Sequence, residues 1–130
     1  MPLTLLGFEL VGNLRLLDTA PWVRRYRWPI YFFCAVAFWN LVGAGLLGFL
    51  INPPVALYYM QGLNLTPVHA HAALFGVYGM LGIGLALFCL RVREPDAVWD
   101  ERLLAVGFWA LNAGLALMLV LSLLPIGLLQ

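Results

Sequence analysis

The two histidines of this chain lie two positions apart, as His69 and His71, in an otherwise apolar stretch. Ionisable side chains in such a stretch are rare and are candidates for function. Two positions along an α-helix correspond to about 200° around the axis and about 3 Å along it, so the two rings point to opposite sides. One metal ion therefore cannot be held by both rings, whereas two separate iron porphyrins, one on each side, fit the spacing. The alternative is a pair of interfacial histidines whose nitrogens are satisfied by backbone carbonyls or by water.

Few other residues could do chemistry, and helix packing accounts for most of them. Asn40 and Asn112 lie in apolar stretches, where they could hydrogen-bond across helices or to a cofactor propionate. Cys34 and Cys89 form no CxxC pair and are interpreted as packing residues. Small residues recur four positions apart once per predicted helix, which is typical of close helix contact in lipid; the pairs are Ala44/Gly48, Ala72/Gly76 and Ala110/Gly114.

The composition places these residues in a membrane. The chain has 130 residues, of which 64% are hydrophobic and 10% are charged, and its mean hydropathy is +0.95. Soluble domains carry about 25% charged residues, so the composition excludes a water-soluble monomer and makes membrane lipid the expected surroundings. The formal net charge is +1, and no basic stripe is interleaved with aromatic residues. We therefore expect no nucleic acid partner.

Breaks in the apolar pattern predict three transmembrane helices, over residues 28–51, 67–90 and 101–124. Asn52-Pro53-Pro54 ends the first helix, because proline lacks a backbone donor and restricts the residue before it. Thr66 is the predicted N-cap of the second helix, with Pro67 as its first residue.

The third helix begins with acidic residues, Asp100-Glu101, which suit a first turn, and we expect Pro125 and Gly127 to end it. Residues 1–20 are apolar but interrupted by charges, and are predicted to form an interfacial amphipathic helix or a truncated one. The predicted fold class is all-α integral membrane, with residues 1–130 as a single membrane domain.

The arginines predict the orientation of these helices. Four arginines precede the first span and three lie around the connection between the second and third, whereas positions 52–66 carry no charge. By the positive-inside rule, the N-terminus is cytoplasmic and the C-terminus is on the outer face.

The ordered features from the first span to the histidine pair resemble a known family. They are Asn40-Leu41-Val42-Gly43-Ala44-Gly45, Gly48-Phe49, Pro54, Tyr58-Tyr59, Gly62, Leu65-Thr66, His69-Ala70-His71 and Gly76-Val77-Tyr78-Gly79-Met80. This region closely resembles the C-terminal part of the large subunit of bacterial nitric oxide reductase, particularly the quinol-dependent type, in the haem-copper oxidase superfamily. The resemblance implies that the three spans are the last helices of the subunit I fold.

The resemblance also implies roles for the histidines. His69 would be the proximal ligand of a high-spin haem b and His71 an axial ligand of a low-spin haem b, in a respiratory oxidoreductase that converts NO to N₂O for denitrification. The implied location is the bacterial inner membrane. Many members have glycine between the histidines, where this chain has Ala70.

The family takes its non-haem iron ligands and the other low-spin haem ligand from helices that precede this region. No further histidine is present in the chain, so we expect no non-haem iron site, no catalysis by the chain alone, and a C-terminal fragment that needs a partner chain. The resemblance then implies one or two haem b groups after assembly. The alternatives are a non-enzymatic small membrane protein and a b-type haem electron carrier formed by self-association.

Overall fold

The computed structural model describes residues 20–60 and 63–129, together with residues 5, 8, 9, 11, 12, 15 and 16. These described residues form helices and connecting turns without a strand. The elements are α1 (Pro21–Arg24), α2 (Arg27–Ile51), α3 (Pro54–Met60), α4 (Leu65–Arg93) and α5 (Glu101–Leu129). Three of them, α2, α4 and α5, are long and apolar enough to cross a membrane. The chain is therefore an all-helical, multi-pass membrane protein.

The interfacial or truncated helix predicted over residues 1–20 lies mostly outside the described residues. Its described positions between Leu5 and Leu16 are helical, and Ala20 is not.

The start of α4 differs from the prediction, which had Thr66 as N-cap and Pro67 as the first helical residue. The helix begins two residues earlier, at Leu65, with Asn64 in the N-cap position. Thr66 and Pro67 therefore lie inside the first turn. This position is tolerated because the first four N–H groups of a helix have no partner within it, so the missing N–H of Pro67 costs no hydrogen bond.

The end of α5 also differs, because the prediction had the helix stop at residue 124, before Pro125. The helix continues to Leu129. The turns that precede the proline, Met118–Leu123, are π-helical. Local π-helical winding is one way in which membrane helices satisfy the backbone groups that a proline leaves unpaired, so the helix can continue through Pro125.

Close contacts between α2 and α4 show that the two helices run antiparallel. A Cβ atom added to Gly43 would lie 2.6 Å from Cβ of Ala72, and one added to Gly76 would lie 2.6 Å from Cγ of Trp39. As residue numbers rise along α4 they fall along α2. Both helices are π-helical where they approach, over Asn40–Leu47 and Leu74–Gly79.

The buried core lies among α2, α4 and α5, and α5 is the most peripheral of the three. The core residues are Phe32, Ala35, Trp39, Val68, Ala72, Met80, Leu115 and Leu119. Only 11% of the apolar window of α5 is buried, against 22% for α2. Most of the surface of α5 is therefore available to lipid or to another helix.

Candidate functional site

The histidine pair lies near one end of the helix bundle, in the first two turns of α4. Because α4 begins at Leu65, the Cα atoms of His69 and His71 are about 6 Å and about 9 Å along the helix from its start. The charged residues of the helices lie at the opposite end of the bundle, where α2 and α5 begin and α4 ends. The pair is thus separated from the charged residues of α2, α4 and α5 by most of a membrane thickness.

His69 packs against α2. Its Nδ1 atom is 2.8 Å from the carbonyl oxygen of Gly43. The ring also lies against Gly48, where an added Cβ would be 2.9 Å from Cε1 of His69. Gly48 of α2 therefore makes the space that this half-buried ring occupies, and the carbonyl of Gly43 holds its Nδ1.

His71 faces α5 instead. It is exposed, and its Nδ1 atom is 2.8 Å from the carbonyl oxygen of Pro67, one turn earlier on α4. The ring lines an open groove of about 390 Å³ between α4 and α5; its other lining residues are Phe75, Ala110, Leu111, Gly114, Leu115 and Met118. The two rings thus contact different neighbouring helices, in agreement with the opposite directions predicted from their spacing.

The hydrogen bonds define which ring nitrogen of each histidine is free. A carbonyl oxygen can only accept, so Nδ1 of His69 and of His71 carries the proton and donates it. In a neutral imidazole the other nitrogen, Nε2, then has the lone pair that binds a metal. Among the described residues, neither Nε2 has a hydrogen-bond partner. Hydrogen bonds from Nδ1 to backbone carbonyls are also expected of interfacial histidines that bind no metal. The feature that fits a ligand role is therefore the free Nε2 atom of each ring.

The groove beside His71 fits one edge of a flat macrocycle. Its walls are almost entirely apolar, and the α5 side carries the small residues Ala110 and Gly114. A Cβ added to Gly114 would meet nothing within 4 Å, so the groove is open at this point. The residues present are thus compatible with an iron porphyrin approached by Nε2 of His71.

Asn112 has two possible roles by its sequence position, one in helix packing and one in binding a cofactor. Its Oδ1 accepts a hydrogen bond of 2.9 Å from the indole N–H of Trp39, and its amide nitrogen donates to the carbonyl oxygen of Phe108. Both ends of the amide are engaged within the bundle. Asn112 therefore joins α5 to α2, while the second N–H of its amide nitrogen is not used in these two bonds.

Within the described part of the chain, no group of three or more histidine, cysteine or acidic side chains is placed to hold a metal ion. Cys34 and Cys89 are free thiols there. The metal-binding capacity of the described helices therefore rests on the two separate imidazoles.

A polar cluster at the charged end was not predicted from the sequence. The carboxylate of Glu101, at the start of α5, accepts from Nε of Arg27 at 3.1 Å and also contacts the indole N–H of Trp28. Nearby, the guanidinium of Arg91 stacks 3.8 Å from the ring centre of Trp99 and donates to the carbonyl of Ala97. In the sequence, the charged residues near these helices are confined to the ends of the apolar stretches. This pattern is the signal from which the cluster could have been predicted.

Comparisons with known proteins agree with the resemblance drawn from the histidine region. A family model described as cytochrome c and quinol oxidase polypeptide I matches residues 1–130. A nitric oxide reductase subunit of Stutzerimonas stutzeri is 33% identical over 76 residues, which cover 55% of this chain. The matched part is 16% of that protein's length.

Proposed function

Because the chain belongs to the cytochrome c and quinol oxidase polypeptide I family, we propose that it is the haem b-binding segment of a nitric oxide reductase-type respiratory oxidoreductase in a bacterial inner membrane. In this proposal His69 is the proximal ligand of a high-spin haem b, and His71 is an axial ligand of a low-spin haem b. Bound haem would supply one-electron transfer and binding of a small diatomic substrate.

One observation carries the proposal: each Nδ1 is held by a backbone carbonyl, and the two free Nε2 atoms belong to rings on different sides of α4. A histidine that ligates a metal usually donates its other N–H to such an acceptor, which fixes the tautomer and the ring orientation. The backbone carbonyl of Gly43 is the acceptor for Nδ1 of His69, and the backbone carbonyl of Pro67 is the acceptor for Nδ1 of His71. The chain's own contribution is thus to present two oriented imidazoles to two separate groups.

Reduction of NO to N₂O needs more than these two ligands. The chain contains two histidines in total, and both are assigned to haem, so a second iron centre and the far ligand of the low-spin haem must come from other helices. The region that matches this chain is 16% of the length of the nitric oxide reductase subunit. The similarity therefore supports a partner that supplies the other iron ligands. We therefore expect the purified chain to produce no N₂O.

Haem reconstitution of the purified full chain tests the proposal. Haem b is titrated into the chain in detergent, and absorption and electron paramagnetic resonance spectra are recorded for wild type, His69→Ala and His71→Ala. Each substitution should remove a different spectral component, because the rings face different helices and cannot share one iron. Thr66→Ala is the matched control, since Thr66 is an exposed polar residue on the same turns of α4 and should leave both components unchanged.

Three outcomes would contradict the proposal. Loss of one and the same component in both variants would favour a single haem held between two copies, as in a self-associated electron carrier. Absence of saturable haem binding would favour a non-enzymatic membrane protein. N₂O production by the pure chain would show that no partner is needed.

A further inference from the structure

Gly48 of α2 lies against the edge of the His69 ring that carries both nitrogens. A Cβ atom added to Gly48 would lie 2.9 Å from Cε1 of His69, 3.3 Å from Nδ1 and 3.6 Å from Nε2. Because Cε1 is the ring atom between the two nitrogens, an added methyl group would press on the part of the ring that forms its hydrogen bond. The present position of the ring therefore requires a residue without a side chain at position 48.

The winding of α2 brings Gly48 and Gly43 to the same histidine. The two glycines are five positions apart, which corresponds to about 140° around the axis of a regular α-helix. However, α2 is π-helical over Asn40–Leu47, and a π-helix is bonded between residues five apart, so residues at this spacing lie close to one face. The carbonyl of Gly43 and the α-carbon of Gly48 consequently both meet His69.

The two histidines are oriented by different parts of the molecule. Nδ1 of His69 donates to the carbonyl of Gly43 across the contact between α2 and α4. The acceptor for His71 is the carbonyl of Pro67, four positions earlier in the same helix. The hydrogen bond that orients His69 therefore depends on how α2 packs against α4, whereas the one that orients His71 lies within α4.

A side chain at position 48 would displace another side chain rather than the backbone. Among the described residues, the three atoms nearest to the added Cβ all belong to the ring of His69. At Gly43, in contrast, they include the backbone carbon and oxygen of Ala72. An imidazole turns about its side-chain torsions, and a packed backbone does not. We therefore expect alanine at position 48 to move the ring while the helices stay together.

We propose that Gly48 is a positioning residue for His69. Its missing side chain lets Nδ1 donate to the carbonyl of Gly43, and this bond sets the tautomer of the ring and the direction of the Nε2 lone pair. The use of that lone pair by haem rests on the proposed function, whereas the effect of Gly48 on the tautomer does not. Gly48 acts on His69 and leaves His71 unaffected.

Nitrogen NMR of the full chain tests this role without haem. The chain is labelled with ¹⁵N-histidine and studied in detergent micelles in alkaline buffer, where imidazole is neutral. Couplings between the ring nitrogens and the carbon-bound ring hydrogens identify the nitrogen that carries the proton. Signals are assigned by their loss in His69→Ala and in His71→Ala.

In wild type, both rings should carry the proton on Nδ1. One hydrogen bond of this kind shifts an equilibrium about fivefold, so Gly48→Ala should lower the ratio of the Nδ1–H to the Nε2–H tautomer of His69 about fivefold. The signals of His71 should not change. Gly114→Ala is the matched control, because Gly114 lines the groove beside His71 and an added Cβ there meets nothing within 4 Å.

Haem titration of the same variants extends the test to the ligand role. Loss of the group that orients a metal-bound histidine usually lowers affinity about 10-fold to 100-fold. Gly48→Ala should weaken by this factor the spectral component that His69→Ala removes, and should leave the component that His71→Ala removes unchanged. Circular dichroism should give the helicity of wild type for every variant.

Several results would overturn the positioning role. They are a proton on Nε2 of His69 in wild type, an unchanged tautomer in Gly48→Ala, an equal change at His71, an effect of Gly114→Ala as large as that of Gly48→Ala, or unfolding of Gly48→Ala. Failure of wild type to bind haem would contradict the proposed function alone, because the tautomer is measured without haem. Haem binding together with an unchanged tautomer of His69 in Gly48→Ala would contradict the positioning role alone.

Discussion

At the scale of single residues, the orientation of His69 depends on the absence of a side chain at Gly43. The carbonyl of Gly43 accepts from Nδ1 of His69, and the same glycine touches Ala72 of α4. A methyl group there would meet Ala72 Cβ at 2.6 Å and its backbone carbon at 2.8 Å. Since a backbone cannot rotate away as a flexible side chain can, the helices would have to separate.

Gly43→Ala should therefore destabilise the bundle by about 1–3 kcal/mol, the usual cost of overpacking. The measurement is unfolding by sodium dodecyl sulfate in mixed micelles, followed by helicity. Gly82→Ala is the matched control, because a Cβ at Gly82 meets nothing within 4 Å and should stabilise α4 by up to about 1 kcal/mol. Equal effects of the two substitutions would show that the α2–α4 contact is looser than these distances indicate.

The hydrogen bond between Trp39 and Asn112 gives a second prediction at this scale. Asn112→Leu leaves the buried indole N–H of Trp39 without its acceptor, so the variant should unfold more readily. A double-mutant cycle with Trp39→Phe should give a coupling energy of about 0.6 kcal/mol, and at most about 1.7 kcal/mol, the range found for such bonds within membranes. A coupling of zero would mean that the two side chains do not interact in the folded state.

How much of the site could be predicted from the sequence is clear from the histidines. Their two-residue spacing was sufficient to predict that His69 and His71 face opposite ways, because that depends only on the winding of one helix. It could not show which helix each ring meets, nor that Gly43 supplies the acceptor for His69. Those facts depend on the register of α2 against α4, which is set by contacts far apart in the chain.

At the scale of the elements, the sequence around a helix end predicts the end of α2 but not the end of α5. Pro53 and Pro54 follow the end of α2 at Ile51, as the sequence indicated. Pro125 instead lies within α5, where it follows directly on the π-helical turns and Leu124. A proline alone predicts a break, and the winding of the preceding turns, which the residue pattern does not reveal, determines whether the break occurs.

The N-cap of α5 is a local signal that can be tested. The side chain of Asp100 accepts from the backbone N–H groups of Arg102 and Leu103, both at 3.0 Å. Asp100→Ala should cost about 1 kcal/mol of stability, whereas Asp100→Ser should retain most of it. Asp96→Ala is the control, since Asp96 is 95% exposed and its carboxylate lies 3.8 Å from Arg25, so its loss should cost between about 0 and 1 kcal/mol. A larger loss at Asp96 than at Asp100 would contradict the assignment of the cap.

At the scale of the whole molecule, the helices place six arginines at one end of the bundle. Arg24, Arg25 and Arg27 lie around the start of α2, and the other three lie at the end of α4 and the start of α5. The connection at the other end, over positions 52–64, carries no charge. The three helices follow from the apolar lengths alone, whereas the placement of α5 beside α2 depends on contacts such as the hydrogen bond between Trp39 and Asn112.

This asymmetry predicts the orientation in the membrane. Because arginine-rich connections remain in the cytoplasm, α3 and the histidine end should face outwards and the Arg91–Arg102 connection should face inwards. In a background of Cys34→Ala and Cys89→Ala, single cysteines are introduced at Val55, which is 73% exposed in α3, and at Asp96, which is 95% exposed in the opposite connection. A membrane-impermeant maleimide applied to intact spheroplasts should label only the cysteine at position 55, and lysis should then make position 96 reactive. Labelling of position 96 alone before lysis would reverse the topology and would place the histidines near the cytoplasm.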